Sequence, residues 1–397
     1  MLLVVASVRQ VDTPIVGEPM LPLLVALVST PTASACGGLF CDAATMEPVD
    51  QKAERILFQM NDDGTITTFV EISYVGRAEQ FAWVLPIPHV IDEQSVATTN
   101  ATFFDALENM TSPQFSFFDS SVQATSAGCS SVLAVRGQGD TDFDVGTDAD
   151  SDVDVVDEFS VGPFALQILR GDSGEALQTW LTDNGYDLPE AAEAPLQSYV
   201  DQDMAFMGVK LIPGEVDEGP IDTLAFTYSA GAPMIPLLLT GIAAVPDMPI
   251  LTYIVADGPM ELGGSYVNVD LDFNAVRPAT GQFPTTYVPM VQSAVDDAGG
   301  LGFVLEWAGQ SDSLRPGIPD REDLAADKWV GRFRTYMDPE EMTEDPIWVR
   351  DPDGPVQIDR LRNIDIAEDN ARSGLATFGL LPLLFGGLWW RRRFNQA

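Results

Sequence analysis

Lysine, histidine and cysteine are all scarce in this sequence. Lys52, Lys210 and Lys328 are the three lysines among 397 residues, His89 is the single histidine, and Cys36, Cys41 and Cys129 are the three cysteines. Twenty basic against sixty acidic residues leave a formal net charge of −40. A field of that sign repels phosphate backbones and anionic headgroups, which argues against nucleic acid as a partner. It also suits high-salt surroundings, where screening removes the self-repulsion of an acidic, lysine-poor surface. One histidine and three cysteines do not supply the paired ligand spacings of a structural zinc site. The four residues between Cys36 and Cys41 likewise miss the two of a thioredoxin-like pair. With a single histidine, general acid–base catalysis would fall to carboxylates, and sixty of them mark out no pair. No glycine-rich phosphate loop follows a strand pattern, and neither G-x-S-x-G nor S-x-x-K occurs. The block "GDSG" at 171–174 resembles the nucleophile segment of chymotrypsin-like proteases. Ser173, however, opens an amphipathic helix pattern, and His89 in "PIPHVID" lacks the alanine-cysteine context of that family, so a helix cap accounts for the block.

What is present begins at the two ends. Residues 20–35, "MLPLLVALVSTPTASA", combine a short apolar core with Ala33 and Ala35 in an A-x-A arrangement, the shape of a secretory signal peptide cut after Ala35. Asp12, Pro14 and Glu18 suit no n-region, so a start at Met20 fits better. At the other end, residues 373–390 carry no charge and as a helix would span ~27 Å, close to a bilayer's hydrocarbon core. Trp389 and Trp390 stand where interfacial aromatics belong, and Arg391, Arg392 and Arg393 place the C-terminus in the cytoplasm by the positive-inside rule. This tail looks like the three-part bacterial sorting signals of short motif, apolar helix and arginine cluster. The expected plan is a signal region over 1–35, a β-rich half over 36–136, an Asp-rich linker over 137–158, an α+β half over 159–350, a polar juxtamembrane linker over 351–372, a transmembrane helix over 373–390 and a basic tail over 391–397. The protein is thus expected in the cell envelope, held by one span, with its body outside the cytoplasm.

In an exported chain a disulfide is the default for Cys36 and Cys41, closed by the "GGLF" loop. Lipidation of Cys36 is the alternative, against which Ala33 stands where lipoprotein signals carry leucine. The acidic run "GQGDTDFDVGTDADSDVDVVDE" offers closely spaced carboxylates of the kind calcium takes, at Asp140, Asp142, Asp144, Asp148, Asp150 and Asp152. The EF-hand pattern fails, because counting from Asp140 position six is Val145 and position twelve is Ser151. A solvated linker explains the run better, with weak calcium binding as the alternative.

The body alternates like an antiparallel sheet. Ile56, Phe58 and Met60 share one strand face, "NDDG" supplies a hairpin turn, and Ile66, Thr68, Val70, Ile72 and Tyr74 share the next face. "FAWVLPIP" would complete a three-stranded meander as an interior strand. Phe103, Phe104, Leu107 and Met110 then fall at helical spacing. Beyond the acidic run, "VGPFALQIL" reads as strand and "DSGEALQTWLTDNG" as a helix capped by Asp172 with Glu175. "MAFMGVKLI", "TLAFTYSA", "MIPLLLT" and "ILTYIVAD" follow as strand candidates, then "SYVNVDLDF" as strand, "VPMVQSAVDDAGG" as helix and "GFVLEWA" as strand. The fold class is α+β: an antiparallel, β-rich body in two halves with a few helices. Trp83, Trp180 and Trp307 lie within these elements and are expected to pack in the core.

The blocks "ACGGLFCD", "PVDQKAERILF", "VEISYVGRAEQFAWVLPIP", "ALQTWLTDNGYDLPE", "FMGVKL" and "DAGGLGFVLEWAG", in this order, resemble the bacterial domain-of-unknown-function 2330 family over roughly residues 35–350. The resemblance implies a secreted or envelope-anchored protein and brings no catalytic residues. A non-enzymatic envelope protein with a structural or interaction role is therefore the expectation, its partners being the membrane and an unidentified protein or envelope component. A calcium-dependent adhesion module and a carboxylate-dependent hydrolase are the alternatives.

Overall fold

Two-residue alternation of apolar side chains makes strands the main regular structure of this chain. The computed structural model describes residues 39–40, 50–75, 82–120, 153–186, 188–212, 221–279 and 285–367. In chain order these form β1 (Leu39–Phe40), β2 (Asp50–Met60), β3 (Thr65–Val75), β4 (Ala82–Ile87), β5 (Val96–Thr99), α1 (Phe103–Thr111), β6 (Gln114–Phe118), β7 (Val153–Val161), β8 (Phe164–Gly171), α2 (Gly174–Asp183) and α3 (Glu193–Asp201). They continue with β9 (Ala205–Leu211), β10 (Thr223–Ser229), α4 (Leu237–Thr240), β11 (Met248–Ala256), β12 (Met260–Gly263), β13 (Val267–Asn268), α5 (Tyr287–Asp297), β14 (Gly302–Gln310), β15 (Trp329–Met337), β16 (Ile347–Arg350) and β17 (Leu361–Asp365).

Two large sheets pack face to face. The larger has eight strands in the order β13-β14-β15-β11-β2-β3-β10-β5, and the smaller has five in the order β1-β4-β9-β8-β7. The inner faces meet in one apolar cluster, with Ile56, Phe58, Val70 and Phe226 on one side and Leu85, Leu166, Ile168 and Met207 on the other. Odd and even positions on a strand point to opposite faces, so Leu57, Phe69, Leu251 and Tyr253 face outward. There Phe103, Phe104 and Leu107 of α1 cover them. The outer face of the five-stranded sheet is covered by α2 and α3 through Leu177, Trp180, Leu181, Leu196 and Tyr199. The layers therefore run helix, sheet, sheet, helix.

The chain is α+β and β-rich, as expected. The β2–β3 hairpin turns at Asn61–Gly64, where Gly64 has φ 83° and the Asn61 N–H donates to the Thr65 carbonyl at 2.9 Å. Other expectations need correction. The meander stops at two strands, because β4 pairs with β9 in the other sheet. Among the described residues β1 pairs with Ala82 and Trp83 of β4, and Pro86 lies opposite Phe206 of β9. Ser173 rather than Asp172 caps α2, its Oγ accepting the Ala176 N–H at 3.1 Å. "MIPLLLT" forms α4 instead of a strand, opening directly after Pro236, and "SYVNVDLDF" pairs only at Val267 and Asn268. Residues 153–158, expected as the end of the acidic linker, belong to β7, whose Val153 is buried while Asp154 points outward. Within the expected linker 351–372, residues 361–365 form β17, parallel to β6. The two halves do not fold apart: β2 lies beside β11, β3 beside β10 and β4 beside β9. No helix among the described residues is long and apolar enough to cross a membrane; residues 373–390 lie outside them.

Candidate functional site

The outer face of the eight-stranded sheet carries a chain of ionised side chains under α1. Arg55 on β2, Glu71 on β3, Glu306 on β14 and Arg332 and Arg334 on β15 point up from the sheet. Asp105, Glu108 and Thr111 come down from α1, three residues apart and hence on one helix face. Arg55 bonds Asp105 at 2.7 Å, Glu108 at 3.2 Å and, through Nε, Glu71 at 3.0 Å. Glu108 also accepts from Arg334 at 3.1 Å and Arg332 at 3.4 Å. Arg332 donates to Glu306, to Ser112 Oγ at 2.8 Å and to Thr111 Oγ1 at 3.1 Å. The Tyr287 hydroxyl of α5 donates to Glu306 as well.

Arg332 and Glu306 are each 1% exposed, so this network sits in a medium where an unpaired ion would be very unfavourable. Burial alone would raise the Glu108 carboxyl, but Arg334, Arg332 and Arg55 together hold it below the ordinary range. Burial pushes the Tyr287 hydroxyl well up, and the Glu306 carboxylate adds to this. Three guanidiniums face four carboxylates, and burial raises the Glu71 carboxyl despite its bond to Arg55; the hydrogen bonds among them fix α1 on the face of the sheet.

A half-buried carboxyl, Asp345, joins the helical layer to the segment before β16. Its Oδ1 accepts from the Tyr199 hydroxyl at 3.1 Å and from the Leu238 N–H at 3.0 Å. Burial outweighs these bonds and pushes it up to about 6.

Concave surface is found elsewhere. Between the sheets a cavity of about 30 Å³ is lined by Glu54, Thr68, Tyr228 and apolar side chains, room for about one water. The larger feature is an open groove of about 570 Å³ at the C-terminal end of α1. Asn109 and Met110 form one wall, Trp307, Ser313 and Leu314 the second, and Asp359, Arg360, Leu361 and Asn363 the third. Arg360 is held in place by donating to the Asn109 carbonyl, and Asp359 accepts from Gln357 Nε2 at 2.8 Å. Met110, Trp307, Leu314 and Leu361 give an apolar floor, and the remaining side chains a polar rim. Its volume falls in the range of small-ligand sites, but it is open and its lining about evenly polar and apolar, where such sites are mostly enclosed and apolar.

A family of uncharacterized proteins conserved in bacteria, DUF2330, matches residues 30–328. The chain belongs to this family. In this DUF2330 protein the matched span stops just before β15, so Arg332, Arg334 and the β17 wall of the groove lie beyond it. No curated protein matches the chain. Among solved structures, that of a mutated baculovirus P35 after caspase cleavage is 14% identical, over 57% of this chain and 77% of that chain, with a TM-score of 0.28. Nothing about this DUF2330 protein follows from a likeness that low.

The residues singled out in the sequence distribute unevenly. Trp83, Trp180 and Trp307 are buried as expected, though Trp307 also borders the groove. Ser173 is a helix cap and His89 is exposed. Cys36, Cys41, Cys129, the calcium candidates Asp140, Asp142, Asp144, Asp148, Asp150 and Asp152, and Trp389 to Arg393 lie outside the described residues. Among the described residues no group of three or more metal-ligating side chains comes together. The groove and the ionic network were not foreseen; the only sequence signal was the pair of arginines two apart in "GRFRTYM", both on one strand face.

Proposed function

We propose that this DUF2330 protein is an exported, membrane-anchored envelope protein whose role is recognition rather than catalysis, with the groove as its binding face. The signal-like segment at 20–35 and the apolar, arginine-terminated segment at 373–393 support export and anchoring. The observation that carries the recognition role is the groove's lining: about 570 Å³ with Asp359 as its one carboxylate. Hydrolysis of a glycosidic bond by the usual route needs two carboxyl groups flanking the bond, and a recognition site needs none. Mass spectrometry of the mature protein, with cell fractionation, tests the location. The expected product begins at Cys36 and is recovered with membranes; intact cytosolic chain with reduced thiols would overturn it. Saturable binding of any envelope component, abolished by Asn363→Ala together with Asn109→Ala at unchanged melting temperature, tests the groove.

A further inference from the structure

From the groove's lining we infer that its ligand is a short, uncharged glycan. This rests on the recognition role proposed above and specifies its chemistry.

Charge comes first. Among the described residues Arg360 and Asp359 are the ionised groups lining the groove, one of each sign, so the lining carries no net charge. Arg360 donates to the Asn109 carbonyl and Asp359 accepts from Gln357. An anionic ligand would meet the field of a chain of net charge −40. A neutral ligand does not.

The rim gives the second constraint. Asn109, Ser313, Asp359, Arg360 and Asn363 come from a helix end, a 3-10 turn and a strand start. Asn109, Ser313, Asp359 and Asn363 are exposed. Carboxamides offer a donor and an acceptor side by side, the Ser313 hydroxyl, which donates to the Gln310 carbonyl, offers an acceptor, and the guanidinium retains further donors. Such a set matches neighbouring hydroxyls on a ring, each of which also gives and takes a hydrogen bond. A peptide read through main-chain pairing would use β17, which among the described residues has β6 on one side only; the groove's polar lining is instead made of side chains from three separate elements.

The floor gives the third. Met110, Trp307, Leu314 and Leu361 are apolar, and the carbon-bound hydrogens of a sugar ring are the apolar surface that an indole and aliphatic side chains can cover. Gly309 permits the indole of Trp307 to lie along β14, since a Cβ there would come within 2.6 Å of the ring. The groove is open rather than closed, and its volume of about 570 Å³ accepts several rings of a chain passing through it.

The test uses the full chain in detergent, with maltotriose, cellotriose, triacetylchitotriose, a trigalacturonate and an uncharged tripeptide as probes, followed by calorimetry and saturation-transfer NMR. At least one neutral trisaccharide should bind. Its affinity should fall at least tenfold in the Asn109→Ala/Asn363→Ala variant and should change less than twofold between 0.1 and 0.5 M NaCl. Trp307→Phe should weaken binding without abolishing it, with a lowered melting temperature because the indole is buried, whereas the double variant should keep the parent's melting temperature. Binding of the tripeptide or the trigalacturonate alone, lost in the double variant, would overturn the glycan assignment and leave the groove as a recognition site. Failure of every probe would overturn the glycan assignment too. Glycan binding that persists in both variants would overturn the groove itself.

Discussion

Replacing Asp345 with asparagine should stabilise this protein at neutral pH and leave it unchanged in mild acid. The carboxyl titrates at about 6 in the fold, against an ordinary value of 3.8. A raised carboxyl means that the folded chain binds its proton more tightly than the unfolded chain does. Stability from this group is therefore fully present below about pH 4 and is lost as pH rises through 6, opposite to the usual salt-bridged aspartate. A gap of about two pH units, at about 1.4 kcal/mol each, sets the cost of the ionised form at about 3 kcal/mol. The Tyr199 and Leu238 donors both address Oδ1, which an asparagine oxygen can replace. The expectation at pH 7.5 is therefore a gain of about 3 kcal/mol. Urea unfolding of both proteins between pH 4 and 8 measures the difference directly, free of the titrations they share. A variant less stable by the same amount at every pH would refute the reasoning, since the negative charge itself would then be what Tyr199 and Leu238 require.

Arg332→Met should destabilise the fold by about 3–5 kcal/mol, because Glu306 would remain buried without its principal cation. Adding Glu306→Gln should recover at least 1 kcal/mol of that loss, a coupling read from a double-mutant cycle in urea. Gly331→Ala should cost about 1–3 kcal/mol by overpacking, since its Cβ would meet the indole of Trp329 and the ring of Phe333; a melting curve checks it. Calcium should raise the melting temperature equally in the parent and in a variant with Asp140, Asp142, Asp144 and Asp148 changed to asparagine. A rise confined to the parent would instead favour a calcium-dependent module.

The strands that could be read from the sequence are those whose two faces differ in a simple way. β2 and β3 alternate between inner and outer faces, β9 and β11 are buried on both, and α1, α2 and α5 keep their apolar residues at helical spacing. β15 escaped because Arg332 and Arg334 occupy outer-face positions that in an ordinary strand would be apolar or solvent-exposed. Their burial is intelligible only once Glu108 of α1 and Glu306 of β14 stand opposite. α4 escaped because a short apolar run fits strand and helix alike. Sheet membership was hidden for a different reason: alternation shows that a strand exists but not which strand lies beside it, so β4 was assigned to its sequence neighbours. The groove draws on α1, β14 and β17, and Asn109, Asp359 and Asn363 are surface polar residues with no pattern to mark them.

The central pairing of Glu54 with Ile250 bears on how the polypeptide is made. β2 lies between β3 and β11, and β11 between β2 and β15. A chain delivered N-terminus first can form the β2–β3 hairpin early, but its free edge waits for β11, and the sheet gains β15 only when Met337 has emerged. Joining partners so far apart is entropically slow. During synthesis the body is consequently held open for most of its length, a condition compatible with threading through a translocation channel before closure.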